Sequence, residues 1–96
     1  PCVGIMPVAN DKEGVGLMND SPYGLTASIW TKDIGVVEKL GDQVNTGTLF
    51  MNRCDYLDPG LSWTGVKETG KGCSLSQIAY EHLTKPKSFH LRKELK

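Results

Sequence analysis

At 96 residues the chain is sized for one small domain, and a domain of that size buries only about 60–65% of the surface its unfolded form exposes. Eleven basic side chains balance eleven acidic ones, which excludes a dedicated nucleic-acid binder, since such domains carry a basic face over the fold. Absence of any apolar run of about eighteen residues excludes a helical membrane span, and three cysteines without paired spacing argue against a disulfide framework and predict a reducing compartment, the cytoplasm or one such as the mitochondrial matrix.

The charge is nonetheless segregated. Residues 1–84 carry six basic and ten acidic side chains, whereas residues 85–96 carry five basic and one acidic, which reads as a solvated basic terminus. No secretory leader is read at the start, and an initial proline without methionine predicts a processed product or a fragment.

In chain order, Val3-Gly4-Ile5-Met6-Pro7-Val8 is apolar without alternation, which predicts a strand covered on both faces, with Pro7 near its end because proline cannot donate to a ladder. A short helix is predicted over Asp11–Asn19, with Asp11 as N-cap. Gly14 and Gly16 weaken it by about 1 kcal/mol each, so it must rely on packing through Val15 and Met18. Asp20-Ser21-Pro22-Tyr23-Gly24 is turn chemistry. A second strand follows at Thr26–Trp30. Ile34, Val37, Leu40 and Val44 recur on one face and predict a helix over Asp33–Val44, ended by Asn45-Thr46-Gly47. A third strand is predicted at Thr48–Met51. Strands alternating with helices predict an α/β fold, a parallel βαβαβ sheet. Such a sheet needs helices on both faces, and the chain has too few, so the domain is expected to be incomplete.

Phe50 to Cys73 has no periodicity of its own, and a long segment of that kind in a domain is a functional loop or a disordered one. Tyr56, Leu57, Leu61 and Trp63 argue for order, because disordered segments are poor in such residues. After it, Ser74-Leu75-Ser76-Gln77 fits a capping box, Leu75, Ile78, Ala79 and Leu83 form an apolar stripe, and Pro86 bars the helix from continuing. Ser88-Phe89-His90-Leu91-Arg92 alternates strictly and predicts a strand with one covered face. Residues 1–84 and 85–96 are thus expected to be an incomplete domain and a strand with a basic tail.

Candidate chemistry is sparse. Gly65 to Lys71 matches the phosphate-loop pattern GxxxxGK, but Gly72 stands where the magnesium-binding hydroxyl belongs and no strand precedes it. Gly70 and Gly72 could free backbone N–H groups for an anion, although tight-turn geometry explains them better. Cys54 has Arg53 beside it and no histidine placed to help, so it reads as a structural thiol. His82 and His90 read as surface residues. Lys67, among glycines, is expected to be tied to backbone or carboxylate groups. Nothing makes Asp55 and Asp58 converge. No CxxC or HxxxH spacing occurs, so no metal site is expected.

Two blocks carry a family resemblance. Gly47-Thr48-Leu49-Phe50-Met51-Asn52, followed fifteen positions after Asn52 by Lys67 in Trp63-Thr64-Gly65-Val66-Lys67-Glu68-Thr69-Gly70, resembles the C-terminal signature of the NAD(P)-dependent aldehyde dehydrogenases, Gly-Thr-Val-x-Val-Asn, a substrate loop, then Pro-Phe-Gly-Gly-x-Lys-x-Ser-Gly. Asn19 to Asp33 is similar to that family's Asn-x-Ser/Thr-x-Tyr-Gly-Leu-Ala-Ala-x-Val-Phe-Thr-x-Asp. The resemblance covers nearly the whole chain and about the last fifth of such an enzyme.

The resemblance implies part of the catalytic domain of an enzyme that oxidises an aldehyde to a carboxylic acid with NAD or NADP through a cysteine thiohemiacetal. Asp55, Leu57 and Trp63 fall where the family lines its substrate tunnel. The thiol, the general-base glutamate, the oxyanion asparagine and the ribose-holding Glu-x-Phe of Glu-x-Phe-Gly-Pro would lie upstream of Pro1, so no catalytic or cofactor-binding residue is expected here. The partners implied are the remainder of the subunit and further subunits, met through the strand from Ser88 to Arg92 in a homo-oligomer. Thr64-Gly65-Val66-Lys67 departs from Gly-Gly-x-Lys. Cys73-Ser74 replaces Arg-Glu, and since serine cannot act as a base near neutral pH, a proton relay at this position is in doubt. The alternative is a non-catalytic binding or assembly module derived from the same fold.

Overall fold

The computed structural model describes residues 1–95. Its ordered centre is a strand–helix–strand unit preceded by a helix and a short strand. Helix α1 spans Asp11–Asn19, β1 Tyr23–Gly24, β2 Thr26–Ile29, α2 Ile34–Gly41 and β3 Thr48–Met51. The strands β2 and β3 pair in parallel from Thr26↔Thr48 to Ile29↔Met51, and α2 is the crossover that a parallel pair requires. Further bonds extend the ladder: the Gly47 and Thr48 amides donate to Gly24 O and Leu25 O, and the Asn52 amide donates to Ile29 O at 3.0 Å.

Local chemistry fixes the helices. Asn10, not the expected Asp11, caps α1: its Oδ1 accepts from the Glu13 amide at 2.9 Å, while Glu13 Oε2 accepts from the Ala9 amide at 2.8 Å. Two otherwise orphaned donors at the helix start are thereby satisfied. Asp33 caps α2 by accepting from the Gly35 amide at 2.9 Å. The apolar face of α1 meets the sheet, with Val8, Val15, Met18, Ile29 and Leu40 around one shallow hollow. The buried apolar residues are Val15, Val44 and Phe50.

The segment after β3 is organised by short pairings: β4 (Trp63–Thr64), β5 (Val66–Lys67) and β6 (Cys73–Ser74). Strand β5 runs antiparallel to β1, Tyr23↔Lys67 and Gly24↔Val66, and β4 runs antiparallel to β6, Trp63↔Ser74 and Thr64↔Cys73. Helix α3 follows at Ile78–Leu83.

Four expectations are corrected. Residues 3–8 form no strand: no neighbouring strand offers them a ladder, and Val3 and Ile5 are 86% and 90% exposed. The sheet is therefore a single parallel β2–α2–β3 unit with small antiparallel pairs beside it, not βαβαβ. The capping box at residues 74–77 does not form, because Cys73 and Ser74 are committed to β6 while Leu75 and Ser76 take left-handed φ of 63° and 56°; Gln77 makes no side-chain cap. Residues 88–92 carry no ladder either, with Phe89 and Leu91 72% and 83% exposed. The last residue of the expected basic tail, Lys96, lies outside the described residues.

The radius of gyration, 19.8 Å, far exceeds the roughly 13 Å of a compact domain of this length. Residues 1–8 and 84–92 carry no helix or strand, and the described residues extend 75 Å along the longest axis.

Candidate functional site

The chain leaves β3 by reversing over β2. Asn52 and Asp55 both adopt positive φ, 55° and 49°, a region that Asn and Asp tolerate better than other side-chain-bearing residues. Asn52 is held at both ends of its amide: Oδ1 accepts from the Thr31 amide at 2.9 Å and Nδ2 donates to Thr31 O at 2.8 Å. The Ser28 hydroxyl donates to Arg53 O. The Thr26 hydroxyl donates to Asp55 Oδ1 at 3.2 Å. Arg53 then lays its guanidinium over the Tyr56 ring, 3.9 Å from the centroid, a favourable stacking of cation on π-face.

Beyond Tyr56 the chain turns at Asp58-Pro59-Gly60, where Asp58 Oδ1 accepts from the Gly60 amide at 2.8 Å and Asp58 O accepts from the Leu61 amide at 3.0 Å. Trp63 enters β4 half-buried. It borders two hollows. The smaller, about 20 Å³, is walled by Thr48, Phe50, Tyr56, Asp58, Leu61, Trp63 and Leu75 among others. The larger, about 380 Å³, is lined also by Leu25, Thr64 and the turn through Gly70 and Gly72.

Close backbone approach keeps β4 there. A Cβ on Gly47 would lie 1.6 Å from Thr64 O, so only glycine lets the start of β3 pass beneath β4 and β5. Lys67 fastens the far end. Its Nζ donates to Asn19 O at 2.7 Å and to Ser21 O at 2.8 Å, supplying to the C-terminal end of α1 the cation that the helix's own last turn lacks, where carbonyls and the macrodipole favour positive charge. Asn19 carries the connection onward, accepting from the Asn45 amide and donating to Gln43 O, both at 2.7 Å. The Thr69 hydroxyl accepts from the Gly24 amide at 2.8 Å. Lys67 is thus tied to backbone carbonyls, as its setting among glycines suggested.

Of the three residues expected along a substrate path, Trp63 sits in the wall between the hollows, while Asp55 and Leu57 lie on the exposed reversal and line neither. Phe50 and Leu75 join the smaller hollow without having been singled out, and Tyr56 and Leu61 were legible only as aromatic and aliphatic residues in a polar stretch. Thr26 and Ser28 were missed as partners of the loop. Their spacing of two on a strand was the available signal, since it puts both hydroxyls on one face.

This arrangement can shape a wall, and the half-buried Cys73 lines the larger hollow. Cys54 and both histidines are exposed, and none of them borders the two hollows. Among the described residues no cluster of metal-ligating side chains occurs. The Gly70-Lys71-Gly72 turn leads into β6 rather than a helix, and Gly72 O accepts from the Thr64 hydroxyl at 2.7 Å, which removes the context of a phosphate loop. A dinucleotide's pyrophosphate needs free amides at a helix start. Here the Asn10 side chain and the Asp33 carboxylate each take one amide at the starts of α1 and α2.

Comparison with known proteins gives a consistent result. The profile described as the aldehyde dehydrogenase family matches residues 1–89. The chain is 35% identical over 88 residues to a phenylacetaldehyde dehydrogenase of Pseudomonas fluorescens, covering 92% of this chain and 18% of that protein. Among solved structures, it resembles the betaine aldehyde dehydrogenase of Staphylococcus aureus in complex with NAD+, with 30% identity and a TM-score of 0.72 over 76% of this chain and 14% of that one. The NAD+ complex of an aldehyde dehydrogenase from Bacillus cereus superposes with a TM-score of 0.79 at 26% identity, covering 83% of this chain and 16% of that one. The chain therefore spans less than a fifth of the length of these relatives.

Proposed function

Since the chain belongs to the aldehyde dehydrogenase family, we propose that it serves as the C-terminal part of the catalytic domain of an enzyme that oxidises an aldehyde to a carboxylic acid with NAD or NADP. The observation that carries this reading is the family match along residues 1–89, set beside coverage of only 18% of a relative's length. In the proposed enzyme a cysteine upstream forms the thiohemiacetal and the cofactor is held by upstream residues. Residues 1–84 contribute the wall of the substrate path through Asp55, Leu57 and Trp63, and residues 85–96 the subunit-association strand and its basic tail. The exposed apolar residues at 3–8 support placement within a larger catalytic domain, because a surface of that kind calls for cover by the remainder of the subunit. Three free cysteines support a reducing location such as the cytoplasm or the mitochondrial matrix.

NAD(P)H formation from a panel of aldehydes tests the proposal. The full-length polypeptide is expected to turn over and the 96-residue chain alone is expected to be silent. Turnover by the chain alone would overturn the placement of the chemistry upstream. A full-length polypeptide that binds partners but has no nucleophilic cysteine and no turnover would make the chain an assembly module of this fold instead.

A further inference from the structure

One face of β2 does more than pair with β3. Thr26 and Ser28 are two residues apart on a strand, so their hydroxyls project to the same side. Both reach the reversal after β3, Ser28 to Arg53 O and Thr26 to Asp55 Oδ1, and the amide of Asn52 closes the row on Thr31. The reversal is conformationally costly at the two residues this row brackets, Asn52 and Asp55, which hold positive φ. Left-handed backbone of this kind persists where surrounding bonds over-determine it.

We propose that Thr26 is a positioning residue for specificity: its hydroxyl aims the Asp55 carboxylate, with Ser28 fixing the backbone beneath, so that the exposed reversal presents a directed negative charge to the aldehyde's tail. Three facts converge on it. The Thr26 bond engages one oxygen of the carboxylate, Oδ1, on a side chain that is otherwise exposed. The guanidinium next in line, Arg53, is turned onto the Tyr56 ring and forms no ion pair with Asp55. Thr26 also stands where the family pattern has alanine, so the device belongs to this chain. A carboxylate held this way favours a cationic tail over an uncharged one of the same shape.

The inference rests on the reading that Asp55 lines the substrate path, and the test separates the two. In the full-length enzyme, kcat and KM are measured for a quaternary-ammonium aldehyde and for its uncharged tert-butyl isostere, with Thr26→Ala, Thr26→Ser and Asp55→Ala. Alanine is the residue of the family pattern, so Thr26→Ala is expected to fold, which a thermal melt checks. Thr26→Ala is expected to raise KM for the cationic aldehyde about fivefold relative to the isostere, the scale of one hydrogen bond, with the change falling on KM rather than kcat. Thr26→Ser should restore the preference, and Asp55→Ala should reproduce the loss with no further change in the double variant. If Asp55→Ala shifts the preference and Thr26→Ala does not, the positioning role is wrong and the substrate-path reading stands. If Asp55→Ala shifts nothing, the substrate-path reading fails at this residue and the inference with it.

Discussion

The β2–α2–β3 unit and the segment at residues 3–8 are built from the same kind of residue, yet one forms a paired sheet and the other forms no element. Thr26–Ile29 finds Thr48–Met51 in register along its whole length, with α2 capped by Asp33 to return the chain. Val3, Ile5, Met6 and Val8 have equal strand character and stand exposed. Strand propensity is a preference for a pleated surface with neighbours on it, and without a neighbour the backbone groups go to water. An apolar pattern therefore becomes a strand only where a partner strand lies beside it, as it does for β2 and β3 and does not for residues 3–8.

The largest expected effect breaks the ordered side of this comparison. Gly47→Ala puts a methyl group against Thr64 O, a backbone atom that cannot step aside, and the expected loss is on the order of 3 kcal/mol or more, as for other overpacked backbone crossings. Gly16→Ala is the control within α1, since nothing lies within 4 Å of the Cβ it would add; it is expected to stabilise by about 0.5–1 kcal/mol. Thermal unfolding of the full-length protein measures both. Equal melting temperatures for the two variants would mean that β4 does not press on β3.

A smaller effect is expected at the wall itself. Trp63→Ala removes a half-buried ring from between two hollows, costing on the order of 2 kcal/mol of apolar contact. In the full-length enzyme proposed above, the change should appear in which aldehydes are accepted, with NAD(P) affinity nearly unmoved. Steady-state kinetics with short and bulky aldehydes reads the first and cofactor titration the second. A change confined to cofactor binding would remove Trp63 from the substrate path.

The extent to which sequence revealed the structure follows the same division. Helices α1 and α2 and strands β2 and β3 were legible, because their apolar spacing and their pairing are satisfied within about 40 residues of chain. The cap of α1 was misplaced by one: Asn10 and Glu13 form the reciprocal donor–acceptor pair, and Asn-x-x-Glu is the pattern that should have located it. The segment from 52 to 77 was legible as ordered but not in its pairings, because β1 meets β5 across more than 40 positions and no local rule carries such a register. Helix α3 starts late because pairing of β6 with β4 outcompetes the local cap. Lys67 was read correctly from its glycine neighbours, but its acceptors Asn19 and Ser21 could come only from the fold.

The smallest effect on this fold is expected from the tail. Residues 88–92 alternate apolar and polar, yet Phe89 and Leu91 are exposed and carry no ladder; the Lys87 ammonium lies 5.3 Å from the Phe89 ring centroid, a contact within the tail itself. Residues 89–95 therefore contribute almost no packing to the described fold, and on deletion from Phe89 onward the melting of the subunit's own core should shift by less than about 0.5 kcal/mol. The alternation still requires an explanation, and an unpaired strand with one apolar face is a template for another chain. Lys85, Lys87 and Arg92 would limit pairing to a partner edge bordered by acidic groups. The deletion in the full-length enzyme is accordingly expected to lower the oligomeric state in sedimentation velocity while leaving the subunit folded. An unchanged assembly would mean that the strand closes onto its own subunit, and an unfolded subunit would mean that the tail covers a core absent from these residues.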